Sequence, residues 1–426
     1  MILVRAAAER NIKNVAVHKF FDEGVAVMVK STNKISVPGF LANGVSAGIK
    51  GGEEKDLGLI YSTIPAKAAA MFTKNTFKAA PVVIDAERIK RGIAQAILTN
   101  SGCANAATGK EGMTDALAVS SAAARQLKIP EDHLLVCSTG VIGRRLPVRK
   151  IESGIGKLVK GLNEFGVEDA EAAMMTTDKF PKIAIRKGIV GAKDITICGI
   201  AKGAGMIEPN MATLLTYVMT DALIDAKALN TVFHQVIDST FNAISVDGCM
   251  STNDTAIILA NGLAGNNPLE RAQARLQRFR EMLTDVLAEL SQAVVKDGEG
   301  ATKFITVVVD GAKSKSDARR VAYSVANSNL VKTAFFGEDP NWGRILAAVG
   351  ASGIPLEKEK ITLSIGAMTV FAQDTPADIS LAKLKEIFRS GQIEVHIGLG
   401  GGDKSYSVYT SDLSYDYVKI NADYST

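Results

Sequence analysis

Residues 202–222 read KGAGMIEPNMATLLTYVMTDA, and the reading of this stretch decides the rest. Gly203, Gly205 and Pro209 punctuate a polar loop, because glycine and proline interrupt regular backbone. From Leu214 the pattern changes. Leu214, Leu215, Tyr217, Val218 and Met219 form an apolar run broken only by Thr216, which predicts a strand buried on much of its surface. Thr213 is its expected first residue, and a β-branched threonine there is an ordinary strand former.

Outward from this strand, apolar runs at Leu57–Tyr61, Pro81–Ile84, Ala96–Leu98, Leu134–Cys137 and Ile195–Cys198 alternate with helical patterns. That alternation predicts mixed α/β layers. After Asp225 as a cap, Leu229, Val232, Phe233, Val236, Ile237 and Phe241 fall on one helical face that should cover a sheet. Pro268 is read as the first turn of a long helix over LERAQARLQRFREMLTDVLAEL. Beyond about residue 310, NLVKTAFFGEDPNWGRILAAVG predicts a helix, ITLSIGAMTVF a strand, and IEVHIGLGGGDKSYSVYTSD two strands joined by a glycine-rich hairpin turn. The expected division is an extension over residues 1–34, holding a short helix and strand, a main α/β domain over 35–310, and a smaller α+β domain over 311–426.

Composition narrows the function classes. The 426 residues are 47% apolar and 22% charged, the balance of an ordinary globular protein. Lys and Arg total 49 against 45 Asp and Glu, too even a balance to imply nucleic acid or a membrane surface as partner. No apolar run reaches the ~20 residues of a membrane helix. The first twenty residues lack the h-region of a secretory signal; Arg5, Arg10, Lys13 and Lys19 against Glu9 have a faint transit-peptide character, but no serine accompanies them. A cytoplasmic location is expected. Cys103, Cys137, Cys198 and Cys249 are scattered, as are the four histidines, so free thiols are expected and neither a zinc cluster nor a histidine-based nucleophile is signalled. GCANAATGKE has the wrong spacing for a phosphate loop, and GLGGG (Gly398–Gly402) precedes a strand rather than a helix.

A chain without a signalled catalytic histidine points back to Thr213. If its hydroxyl attacked the Ala212 carbonyl and the resulting ester were hydrolysed, Thr213 would carry a free α-amino group beside its own hydroxyl. One residue would then hold nucleophile and base, since an α-amino group has a reference pKa of ~7.7–8.0. Glycine, proline and asparagine before the junction permit the unusual backbone that such an attack needs.

KGAGMIEPNMATLLTYVMTDA closely resembles the self-cleaving junction of the ornithine acetyltransferase (glutamate N-acetyltransferase, ArgJ) family. Seven further blocks agree in type and order: TNSGCANAATGKEG at Thr99, STGVIG at Ser138, MMTTDKFPK at Met174, SVDGCMSTNDT at Ser245, KDGEGATKF at Lys296, GEDPNWGRI at Gly337, and the terminal YVKINADYST. The resemblance runs from about residue 36 to the end, and residues 1–34 form a longer lead than the family pattern.

The resemblance implies an αββα sandwich of the self-cleaving ArgJ/DmpA type with a smaller C-terminal α+β domain whose tail completes the site. It implies a cut between Ala212 and Thr213, Thr213 as the acetylated nucleophile, and Thr139 and Gly140 as an oxyanion hole. Thr176, Lys202, Thr213, Glu299, Asn421 and Thr426 match substrate-contact positions, with Thr176 favoured over the adjacent Thr177. Lys202 suits a carboxylate, Glu299 an ammonium, and Asn421 and Thr426 hydrogen bonds. The implied reaction moves acetyl from N-acetylornithine to glutamate by a ping-pong route, with no metal or bound cofactor. The implied assembly is an α2β2 heterotetramer of the two cleaved chains. Acetyl-CoA as an additional donor is left open. Two alternatives stay in view: a hydrolase of the same N-terminal-nucleophile logic, with water as acceptor, and an uncut non-catalytic binding protein.

Overall fold

The computed structural model describes residues 34–208 and 214–423. The expected elements of the extension, and Ala212, Thr213 and Thr426, lie outside the described residues.

Strands β1 (Phe40–Val45) and β2 (Leu57–Phe72) are antiparallel. Helix α1 (Ala80–Arg88) follows, then β3 (Ile93–Cys103), α2 (Gly109–Leu127), β4 (Leu134–Val141), α3 (Val148–Lys160) and α4 (Val167–Ala172). Next come β5 (Lys182–Val190), β6 (Lys193–Lys202), β7 (Leu215–Thr220), α5 (Ala226–Ser239), β8 (Ile244–Ser245), β9 (Thr255–Ala260) and α6 (Gln273–Lys296). The first sheet runs β4-β3-β2-β9-β7-β6-β5, with β1 added on β2.

This sheet folds over on itself, and β2 is where it turns. Leu57–Ser62 pairs with β1, Lys67–Phe72 pairs with β9, and the register with β3 shifts between Tyr61 and Ala66. Pro65, which has no N–H to give a ladder, sits inside that irregularity. The two leaves meet over an apolar core containing Ile60, Ile97, Leu135, Cys137, Ile200, Tyr217 and Ile257. Helices α1 to α3 cover one outer face through Ala80, Ile84, Ala116, Ala123, Ile151 and Ile155. Helices α5 and α6 cover the other through Phe233, Ile237, Phe279, Leu283 and Leu287. The layers are therefore αββα, with β7 interior and all six of its residues buried.

The remaining elements are β10 (Phe304–Ala312), α7 (Lys315–Ala326), α8 (Asn329–Phe336), α9 (Trp342–Gly350), β11 (Thr362–Ile365), β12 (Met368–Ala372), β13 (Thr375–Pro376), α10 (Leu381–Arg389), β14 (Gln392–Gly398), β15 (Lys404–Ser411) and α11 (Tyr415–Asp423). The second sheet has the order β13-β12-β11-β14-β10-β15-β8, so β8 joins it from the earlier part of the chain.

Several local expectations are corrected. Pro81–Ile84 is not a strand but the first turn of α1, where proline occupies a position whose N–H needs no helical partner. Phe241 lies beyond the end of α5 in a 3-10 turn, though buried as its spacing implies. Pro268 precedes a separate 3-10 turn, and α6 starts only at Gln273. The stretch from Asn329 to Gly350 is two helices, interrupted at Gly337–Asn341 where Pro340 cannot continue the ladder. ITLSIGAMTVF is a hairpin, β11 and β12, turning at Gly366. Gly398–Gly402 is not a hairpin turn, because β14 and β15 lie on opposite sides of β10. The glycines cross the end of β10, where Gly401 donates to the Gly311 carbonyl at 2.7 Å.

Candidate active site

The chain leaves the first sheet at Lys202 and re-enters it at Leu215, and these two residues pair with each other. Whatever occupies 203–214 thus departs from and returns to one point of the sheet. The returning end is anchored by a buried carboxylate: Leu214 N donates to Asp254 Oδ1 at 3.1 Å. The departing end is anchored by Asp247, which accepts from Met206 N at 2.6 Å and Ile207 N at 2.8 Å.

Beside this point β4 ends in Thr139-Gly140-Val141. Gly140 has φ +123°, and a Cβ there would come within 2.5 Å of the Gly102 carbonyl carbon, so no other residue fits without moving β3. Asn253 ties the surrounding loops together, donating from Nδ2 to Ala104 O at 2.6 Å and Ser138 O at 2.8 Å.

A cavity of about 140 Å³ opens here, lined among others by Thr139, Gly140, Thr176, Lys202, Glu299 and Asn421. Every described member of the expected site is in it. The Lys202 ammonium donates to Thr176 Oγ1 at 2.8 Å and Thr139 Oγ1 at 3.2 Å. Thr177 also borders the cavity. Across it, Glu299 occupies the turn after α6, its N–H bonded to Ala204 O at 2.8 Å. A Cβ on Gly205 would lie 2.4 Å from the Glu299 carboxyl carbon, so that glycine lets the carboxylate pack against the loop. Asn421, on the terminal helix α11, donates to Glu299 Oε2 at 2.8 Å. Tyr417 of the same helix donates to Asp247 at 3.2 Å.

The charges are buried in a graded way. Lys182 lies behind Lys202 and ion-pairs with Asp178 at 2.7 Å and Asp297 at 2.5 Å, with all three side chains removed from solvent. Burial lowers the Lys202 ammonium below the ordinary lysine range, opposed chiefly by the Asp178 charge. Burial alone would raise Asp178, but the Lys202 and Lys182 ammoniums hold its carboxyl well below the usual range. Asp254 is pushed well above that range by burial, with Leu214 N–H and Lys202 acting the other way. Among the described residues no group of three His, Cys, Asp or Glu side chains is placed to hold a metal ion.

Asp178, Asp247, Asn253, Asp254 and Tyr417 were not singled out by sequence reasoning. All five stand inside the quoted blocks MMTTDKFPK, SVDGCMSTNDT and YVKINADYST. Asp178 has near partners in Thr176 and Lys182, but Asp247, Asn253, Asp254 and Tyr417 also meet partners 40 or more residues away, which no spacing pairs.

The ArgJ family model matches residues 41–426. The chain is 50% identical over 393 residues to an "Arginine biosynthesis bifunctional protein ArgJ" of Geobacter sulfurreducens, covering 92% of this chain and 100% of that one. It is 48% identical to the protein of the same name from Syntrophotalea carbinolica, with the same coverage of each. A mitochondrial protein of that name from Schizosaccharomyces pombe is 42% identical over 410 residues, covering 91% of this chain and 92% of the relative.

Proposed function

The chain belongs to the ArgJ family, and from that premise we propose that it moves an acetyl group from N2-acetyl-L-ornithine to L-glutamate through an acetyl-Thr213 intermediate. The observation that carries this reading is the convergence of Lys202, Thr139, Thr176 and Glu299 on one cavity at the start of β7. Position 213 immediately precedes Leu214, whose N–H is held by Asp254.

Activation begins within the chain. The Thr213 hydroxyl adds to the Ala212 carbonyl, the amide nitrogen leaves as the new α-amino group, and water cleaves the resulting ester to give an α chain ending at Ala212 and a β chain beginning at Thr213. In transfer, the free amine removes the Thr213 hydroxyl proton as the oxygen attacks the acetyl carbonyl. Thr139 and the backbone of Gly140 receive the developing oxyanion. The protonated amine then returns its proton to the departing ornithine nitrogen. Glutamate enters, gives a proton to the same amine, and takes the acetyl group as N-acetylglutamate while the amine passes that proton to the departing Thr213 oxygen. Glu299 suits the ammonium of either amino acid, with Asn421 and Thr426 supplying further hydrogen bonds. The scheme needs no metal or bound cofactor.

The word bifunctional in the relatives' names supports acetyl-CoA as a second donor to glutamate. We place the protein in the cytoplasm as an α2β2 heterotetramer; no helix among the described residues is long and apolar enough to cross a membrane. The test is intact mass under denaturing conditions followed by donor assays. Two fragments summing to the chain plus one water, with the second starting at Thr213, and acetyl transfer from N2-acetylornithine to glutamate are expected. One uncut, inactive chain would overturn the reading, and release of free acetate without transfer would favour the hydrolase.

A further inference from the structure

Glu208, on the loop that leads to the junction, lines a second cavity and not the catalytic one. This cavity, of about 310 Å³, lies against α7 and the turn after α9, which contribute Arg319, Arg320, Ser324 and Ser352. Arg319 rests on the face of Tyr323, its guanidinium carbon 4.8 Å from the ring centre. Arg320 reaches the turn and donates from Nη2 to Gly353 O at 3.2 Å. Gly353 has φ +72°, and a Cβ there would stand 2.8 Å from that same nitrogen, so glycine leaves the room that the arginine uses.

The walls keep bonding capacity that the protein does not use. A guanidinium carries five N–H donors, and the Gly353 carbonyl takes one from Arg320, which pairs with no carboxylate among the described residues. Ser352 is only 9% exposed, yet its Oγ has no hydrogen-bond partner among the described residues, and buried hydroxyls are rarely left so. Ser324 Oγ gives its hydrogen to Ala348 O at 2.6 Å and keeps its lone pairs for a donor. Burial raises the Glu208 carboxyl above its ordinary value, and the Arg319 charge and an Asn327 hydrogen bond oppose that rise.

Charge complementarity selects the ligand class. Two guanidiniums and one carboxylate face this space, so the matching small molecule carries two carboxylates and one ammonium. A phosphate would set an anion against Glu208, and a basic amino acid would set a second cation against the arginines. We propose that this cavity is a second binding site for an acidic α-amino acid, its carboxylates held by Arg319 and by Arg320 with Ser352, and its ammonium by Glu208.

The second cavity meets the catalytic one through a short piece of backbone. Ile207, next to Glu208, is pinned by Asp247 Oδ1 at 2.8 Å and receives Val246 N on its carbonyl at 2.8 Å. A Cβ on Gly248 would lie 3.3 Å from Glu208 Oε2, and Asp247 and Cys249 on either side of that glycine line the catalytic cavity. A ligand that engages Glu208 therefore acts on the segment that walls the catalytic site. L-Glutamate, the acceptor in the reading above, belongs to the class that the second cavity takes. The kinetic part of this inference rests on that reading, and the binding part does not.

The experiment is calorimetric titration of the purified wild-type protein and of Arg320→Met, Glu208→Gln and Glu299→Gln with L-glutamate. One binding event is expected to weaken about 10- to 100-fold in Arg320→Met and in Glu208→Gln, and to stay within about twofold of wild type in Glu299→Gln, which alters the catalytic cavity. Arg320 is exposed, so its replacement leaves the fold intact. No Arg320-dependent event, or one that Glu299→Gln also removes, overturns the proposal. Binding of inorganic phosphate with the same dependence on Arg320, together with L-glutamate binding indifferent to Glu208, would mark a plain anion site and overturn it as well. In initial rates at fixed N2-acetylornithine, the wild type should depart from a single hyperbola as L-glutamate rises, and Arg320→Met should follow one. Single hyperbolas for both would overturn the coupling. Absence of acetyl transfer by the wild type would break the functional reading, while the titration would still decide this one.

Discussion

The two walls of the cavity are built by opposite means. One wall, Thr139, Gly140, Thr176 and Lys202, stands on strand ends and a tight turn at the heart of the first sheet, with Asp178, Lys182 and Asp297 buried behind it. The other, Glu299 and Asn421, stands on a turn after α6 and on the terminal helix α11, which has no buried residue. That helix is held by Asn421 to Glu299, Tyr417 to Asp247 and an edge-on contact of Tyr415 with Phe336, and the preceding Ser414 Oγ donates to Gly300 O at 2.6 Å. The first wall is suited to chemistry, where donors must not reorganise as charge develops. The second is suited to recognition, where a ligand can complete a weakly held surface.

The comparison can be broken in order of effect. Thr213→Ala is expected to leave a single uncut chain with no detectable transfer, read by intact mass and by N-acetylglutamate formation. Thr139→Ala should lower kcat about 100- to 1000-fold; a change confined to KM would show that the buried wall recognises rather than reacts. Removing residues 415–426 should leave self-cleavage complete and raise KM for the amino acid about 100-fold, since several hydrogen bonds to charged groups are lost at once. Its melting temperature should fall by no more than about 2 °C, because no residue of the helix is buried. Asn421→Ala should raise KM about tenfold at nearly constant kcat; an equal fall in kcat would assign the outer wall a part in the chemistry.

The smallest effect concerns Glu171, buried beside the Lys182 backbone, which donates to its Oε1 at 3.0 Å. Burial raises this carboxyl to about 8, against about 4.3 for an unfolded glutamate. The folded protein therefore holds a proton that the unfolded chain has lost. This group's contribution to stability is most favourable below the unfolded value and declines as pH rises toward 8. Glu171→Gln keeps the acceptor and removes the titration. Its melting temperature relative to wild type should rise between pH 5 and pH 8, and a gap independent of pH would refute the assignment.

Much of the first wall was legible before any coordinates. Thr139, Gly140, Thr176 and Lys202 lie in compact blocks whose order is itself a pattern, and the run from Leu214 to Met219 carries its burial in its composition. The second wall was legible only as a resemblance, since a glutamate in a turn and an asparagine near a chain end are ordinary surface residues. Neither route reached Asp178 or Asp254.

Sequence alone determined the interior strand β7 and the capped helix after Asp225, whose side chain accepts from Ala228 N at 2.9 Å. These depend on periodicity and on neighbours a few residues apart. Only the tertiary structure decided that the glycines at 398–402 cross a strand instead of closing a hairpin, that Pro81 starts a helix, and which carboxylates stand behind Lys202. Asp297 reaches Lys182 across 115 residues of chain, and Asn253 reaches Ser138 across the same separation. Which distant polar groups meet is set by how the layers pack, and burial then forces each of them to find a partner, a condition no local pattern of residues can express.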